Sequence, residues 1–154
     1  MDVSNVAGAL VVAVEPDSRQ ASKVEAVVRD MVRAELIIGD SARVVLAALH
    51  ERAPDLVLAS PLLPPGDEAL IADRLRQLGA SARHVQALAI PLLASPDPAW
   101  GKSGLLSLRR KPSHTRSARC APEAFAEQVR GYLAQASVDR ERHAALDGFA
   151  AQHQ

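Results

Sequence analysis

Residues Ala9 to Val14 form an unbroken apolar run that stops at Glu15-Pro16-Asp17. Six residues are too few for a helix and carry no alternation, so the run reads as a parallel strand buried on both faces. From Ser18 the pattern changes. Val24, Val27, Val28, Met31 and Val32 recur at intervals of three and four, with Arg19, Lys23, Arg29 and Asp30 between them. That is a helix with one buried stripe. Glu35 to Ile38 predicts a second short strand, and Asp40 or Ser41 can cap a helix that runs through Glu51, with Val44, Val45, Ala48 and Leu49 as its apolar positions. Pro54 stops it.

Asp55 to Ala59 predicts a third strand, followed by the loop Pro61-Leu62-Leu63-Pro64-Pro65-Gly66. Asp67 is expected to cap a helix that ends at Leu78 and is closed by Gly79. Val85 to Ala94 predicts a fourth strand with Pro91 inside it, and Leu105 to Leu108 a short fifth. Pro122 suits the first turn of a last helix through Phe125, Val129 and Leu133. Residues 1–136 therefore read as one domain. Residues 137–154 read as a helical extension, loosely attached because few apolar groups can offset the entropy of ordering it.

Alternating strands and helices specify an α/β fold: a parallel sheet covered on both faces, whose working edge lies at the carboxyl ends of the strands. The residues delivered to that edge are Glu15, Pro16 and Asp17 after strand one, Ser60 after strand three, Ser95 after strand four and Lys111 after strand five.

On these residues the chain resembles the receiver domains of bacterial response regulators. Ala53 to Pro64 is similar to that family's third strand and following loop, with Ser60 at the phospho-aspartate position. Val12 to Asp17 resembles its first strand and acidic pair, and the 45 residues from Glu15 to Ser60 match its interval. Lys111-Pro112 resembles the Lys-Pro that ends its fifth strand, and Ser95 stands at its small hydroxyl position. The resemblance covers roughly residues 9 to 136, most specifically over the first three strands. It implies a flavodoxin-like (CheY-like) five-stranded parallel sheet with helices on both faces.

The departures decide the expected function. The resemblance implies a carboxylate cluster that binds magnesium and an aspartate that accepts a phosphoryl group. Here Pro16 replaces one acid and Ser60 replaces the nucleophile. A hydroxyl without a neighbouring base is a poor nucleophile, and magnesium is usually anchored by carboxylates. Between Ser95 and Leu105 the stretch 96–104 carries two prolines and two glycines, so the fourth helix of the family is expected to be short or missing. Trp100 in that stretch serves either as a plug over the sheet or as a partner anchor. From Arg109 to Arg119 there are five basic residues besides His114, and no acid. Arg109, Arg110, Arg116 and Arg119 are candidates for an acidic partner surface, or simply line a solvated loop. No aromatic residue is interleaved to stack bases, which disfavours nucleic acid. His50 and His84 read as surface or locally bonded side chains.

Composition narrows the reading further. Net charge is zero, with residues 1–80 carrying 8 basic and 12 acidic groups and the remainder 10 and 6. No overall field draws the chain to DNA or membrane. The single Cys120 cannot form an internal disulfide, which fits a reducing compartment, and cytoplasm is the expected location. An acidic Glu15-Pro16-Asp17 turn would repel a phosphate at the first helix, which disfavours a cofactor-binding enzyme on this scaffold. The expectation is a degenerate receiver-like domain with no metal, no cofactor and no catalytic residue. It would act in signal transduction by binding a signalling protein, independently of phosphorylation, with a second copy of the chain among the candidate partners. The alternative is a phosphorelay receiver that uses Ser60 or Asp17 as a non-standard acceptor.

Overall fold

The computed structural model describes residues 8–94 and 119–152. Four strands, β1 (Leu10–Val14), β2 (Glu35–Gly39), β3 (Leu56–Ala59) and β4 (Gln86–Ala89), form a parallel sheet in the order β2-β1-β3-β4. All five residues of β1 are buried, as its uninterrupted apolar run requires. Five strands are expected from the sequence and four stand among the described residues; the expected fifth, Leu105 to Leu108, lies outside them, as does the stretch proposed to lack a fourth helix.

Helix α1 (Ser18–Ala26) continues as wider π-type turns over Val27–Val32. It shares one face of the sheet with the C-terminal helix α4 (Pro122–Gln152). Val24, Val28, Phe125, Val129 and Leu133 close there over Val11, Ala13, Leu56 and Leu58. Helix α2 (Ala42–Leu49) covers the other face, setting Val45, Leu46 and Leu49 against Leu10, Val12 and Val14. Helix α3 (Pro65–Leu78) buries none of its residues fully and reaches this second core through Ile71. Close approach of α2 to the sheet depends on Gly39, where a Cβ would meet Val44 and Val45 methyl carbons at 3.0 Å.

Several boundaries differ from those the sequence predicts. The fourth strand stops at Ala89 instead of Ala94, because Pro91 has no N–H to continue the ladder. Helix α2 ends at Leu49, where His50 turns to a positive φ of 58°, so the helix closes five residues before Pro54. Helix α3 opens at Pro65, with Pro64 as its extended N-cap residue. Asp67 lies inside its first turn and caps a different helix: its Oδ2 accepts from Ala42 N, the first residue of α2, at 3.0 Å.

The C-terminal extension is continuous with α4, a helix of 31 residues, about 46 Å long at 1.5 Å per residue. Asp139 and Arg140 bond to groups at the amino-terminal end of the sheet, and among the described side chains the buried apolar stripe of the helix ends at Ala136.

Candidate functional site: the carboxyl edge of the sheet

Order β2-β1-β3-β4 reverses direction between β1 and β3, so a crevice is expected where those two strands end. Glu15 and Ser60 meet that condition. Glu15 follows β1 with 4% of its surface exposed, and its N–H donates to Gly39 O at 3.0 Å. Ser60 follows β3, 3% exposed, and its N–H donates to Val14 O at 3.0 Å.

Neither side chain is left open. The Glu15 Oε1 accepts the backbone N–H of Asp17 at 3.1 Å, folding the carboxylate back over its own turn. Asp17 is the N-cap of α1, its Oδ1 accepting from Arg19 N at 2.9 Å. Pro16 between them is exposed and brings no donor or acceptor side chain. Ser60 Oγ accepts from Leu62 N at 3.2 Å while Ser60 O accepts from Leu63 N at 3.1 Å. The serine is therefore a turn-former that starts the loop into α3.

Ile90 follows the fourth strand: it is buried, and its N–H donates to Ala59 O at 2.9 Å, which puts it beside Ser60 in the next strand. Ser95, Lys111, Trp100, Arg109, Arg110 and Arg116 lie outside the described residues. Arg119 is described and exposed. Its neighbour Cys120 joins the edge through the backbone, donating to Leu92 O at 2.7 Å and accepting from Ala94 N at 2.9 Å.

Two residues not singled out from sequence organise this edge. Gln20 on α1 is buried; its Nε2 donates to Pro91 O, and its Oε1 accepts from Leu93 N at 3.3 Å. Lys23 Nζ donates to Leu93 O at 3.1 Å. Together they fix the segment that follows the proline-terminated β4. Gln20 lies four residues before Val24, on the extension of the apolar stripe, and a polar residue at a core-facing position is the pattern that could have revealed it.

A divalent ion of the kind the resemblance implies does not fit the described residues. Magnesium needs several hard oxygen ligands at near-octahedral positions. Of the carboxylates at this edge, Glu15 is turned onto Asp17 N, Asp17 onto Arg19 N and Asp67 onto Ala42 N. Among the described residues no three His, Cys, Asp or Glu side chains converge as metal ligands.

The same fold recurs in receiver proteins of known structure. The chain matches the signal receiver domain of a signal transduction histidine kinase from Syntrophus aciditrophicus with a TM-score of 0.52 at 18% identity, over 82% of this chain and 91% of that one. It matches the chemotaxis protein CheY4 of Vibrio cholerae at 0.52 and 15% identity, over 82% and 99%. It matches a CheY-like response regulator receiver domain protein from Methanospirillum hungatei JF-1 at 0.53 and 14% identity, over 86% and 99%. No family model and no curated protein matches the sequence. The chain therefore has the CheY-like receiver fold, with four of its parallel strands and both helical layers among the described residues. Among those residues, no helix is long and apolar enough to cross a membrane.

Proposed function

We propose that this chain is a degenerate receiver-like domain that acts in signal transduction as a phosphorylation-independent protein-interaction module in the cytoplasm. It has no catalytic activity of its own and takes no cofactor. One observation carries the reading: at the end of β3, where a receiver places its acceptor carboxylate, stands a buried serine whose Oγ is already engaged with Leu62 N. No acyl phosphate can form on a hydroxyl, a serine hydroxyl is a weak nucleophile unless a base takes its proton, and the nearest strand-end carboxylate, Glu15, has its Oε1 on Asp17 N. Asp17, the other candidate acceptor, would have to give up the N-cap of α1 to react. The partner is a signalling protein. The basic residues Arg109, Arg110, Arg116 and Arg119, together with Trp100, are the candidates for contacting it, and nucleic acid remains the less favoured ligand.

Intact-mass measurement after incubation with acetyl phosphate and magnesium tests the proposal. No covalent adduct is expected. A stoichiometric phosphoryl adduct that vanishes in Ser60→Ala or in Asp17→Asn would overturn it in favour of an active phosphorelay receiver.

A further inference from the structure

The amino-terminal end of the sheet carries a buried ionic cluster that joins three distant parts of the chain. Asp55, 4% exposed, enters the sheet just before β3: its N–H donates to Leu10 O at 2.8 Å, and its carbonyl accepts from Gln86 N at 3.0 Å. Its carboxylate Oδ2 accepts from Leu10 N at 2.8 Å. Its Oδ1 faces two groups at once: Arg140 Nη2 of α4, in direct contact, and His84 Nε2, at 3.2 Å. His84 Nε2 and Arg140 Nη2 are themselves 3.3 Å apart. Gln86 Nε2 ties the cluster to the helix a second time, donating to His84 O at 3.3 Å and to Asp139 Oδ2 at 3.1 Å. One turn further along α4, His143 Nδ1 is buried without a hydrogen-bond partner among the described residues.

These contacts are what hold the helix to the body beyond Ala136. Val138 and Leu146 are exposed, so the apolar stripe that docks Phe125, Val129 and Leu133 does not extend this far. The stoichiometry of the cluster makes the attachment conditional. Nε2 of a neutral His84 can carry a lone pair toward Arg140, which leaves Asp55 Oδ1 to the guanidinium. Nε2 of a protonated His84 carries a proton, competes for that oxygen, and faces the guanidinium as a like charge. Asp55 Oδ2 already accepts from Leu10 N, and one carboxylate charge then faces two cations. The two cations differ in freedom: the Arg140 side chain is 52% exposed and that of His84 8%. Arg140 can withdraw into water on its flexible stem, whereas the imidazolium, buried, needs the carboxylate.

We propose that the C-terminal extension is held by an acid-released latch: proton uptake by His84 transfers Asp55 from Arg140 to the imidazolium and frees α4 from Asp139 onward. Every charged group seen to face His84 enters the balance. Burial lowers its pKa below the ordinary 6.5, His143 lowers it further, and Asp139 opposes both. Asp55 pulls with Asp139, but its charge is offset by Arg140 while the latch is closed. A histidine whose pKa is lowered by docking takes up its proton more readily when undocked. The attachment is therefore complete while His84 stays neutral and weakens as pH falls from the undocked pKa of His84 through its lowered docked one. Once free, a helix end with so few apolar contacts frays.

Amide exchange of the full chain, corrected for the intrinsic effect of pH and followed beside the ring nitrogen shifts of His84 and His143 from pH 8 to 5, decides the matter. Protection over residues 139–146 should fall about tenfold for each pKa unit by which docking depresses His84, with its midpoint on the His84 titration, while β1 and β3 keep theirs. His84→Gln should hold the extension across the whole range, and Arg140→Gln should remove its protection at every pH. The latch is overturned by protection that does not change with pH, by a midpoint that follows His143 instead, or by a transition that survives His84→Gln. Should His84→Gln fail to fold, the wild-type protection curve set against the two histidine titrations still separates these outcomes.

Discussion

Asp55 and Ser60 stand at opposite ends of one strand, and the two ends of the sheet differ in what their polar side chains bind. At the carboxyl edge, Glu15, Asp17 and Ser60 all serve the backbone: Glu15 accepts from Asp17 N, Asp17 caps α1, and Ser60 forms a turn. At the amino-terminal edge, a buried carboxylate meets an arginine and a histidine brought from 85 and 29 residues away. Buried charge is expensive unless paired: Glu15 at the crevice meets only a backbone N–H, whereas the carboxylate paired with cationic side chains sits at the remote end.

The difference is measurable. Asp55→Ala removes the acceptor of Leu10 N and strands His84 and Arg140 together, so it should be the most damaging polar substitution in the chain. A loss of about 3 kcal/mol in urea unfolding is expected. A loss below about 1 kcal/mol would mean that the amino-terminal cluster is peripheral, and the contrast between the two ends would collapse.

Gln20→Leu should rank next. It keeps the volume of the side chain but leaves Leu93 N and Pro91 O without their partner at a buried position. A cost of about 1–2 kcal/mol is expected, accompanied by faster exchange of the amides near Leu93 and Cys120. If the global cost appears without local exchange, Gln20 contributes by packing alone, and the carboxyl edge is more rigid than its hydrogen bonds suggest.

How much of this could be read from sequence follows from the range of the interactions involved. The first three strands and α1 were legible because their apolar positions repeat at the periods that burial imposes: a continuous run in β1, steps of three and four from Val24 to Val32. The run Val85 to Ala94 misled because apolarity continues past Pro91 while the ladder cannot. Asp67 misled because a carboxylate near a helix start caps whichever amide is closest, and that amide belongs to Ala42 of another helix. Glu15 and Ser60 stand at strand ends that the apolar runs mark, whereas Ser95, beyond the overlong run, lies outside the described residues. The cluster at Asp55 had no local signature. His84 sits two residues before β4 and Arg140 in the extension of α4, and only the parallel pairing of β1 with β3 and β3 with β4 brings them to the same carboxylate.

Ser60→Ala should have the smallest effect. The substitution removes one neutral acceptor from Leu62 N at the start of a loop, and the rest of the turn, held by Leu63 N on Ser60 O and by Ser60 N on Val14 O, is carried by the backbone and survives. A neutral hydrogen bond of this kind is worth about 1 kcal/mol or less, and because Leu62 is exposed its freed N–H can turn to water. The melting temperature should therefore move by a few degrees at most, by about 4–8 °C per kcal/mol at the small-domain end and less for longer chains. Magnesium should shift it equally little in wild type and variant, since a ligand that does not distinguish two states moves no equilibrium between them. Magnesium-dependent stabilisation present in the wild type and absent in Ser60→Ala would place a metal at this hydroxyl and count against the function proposed for this chain.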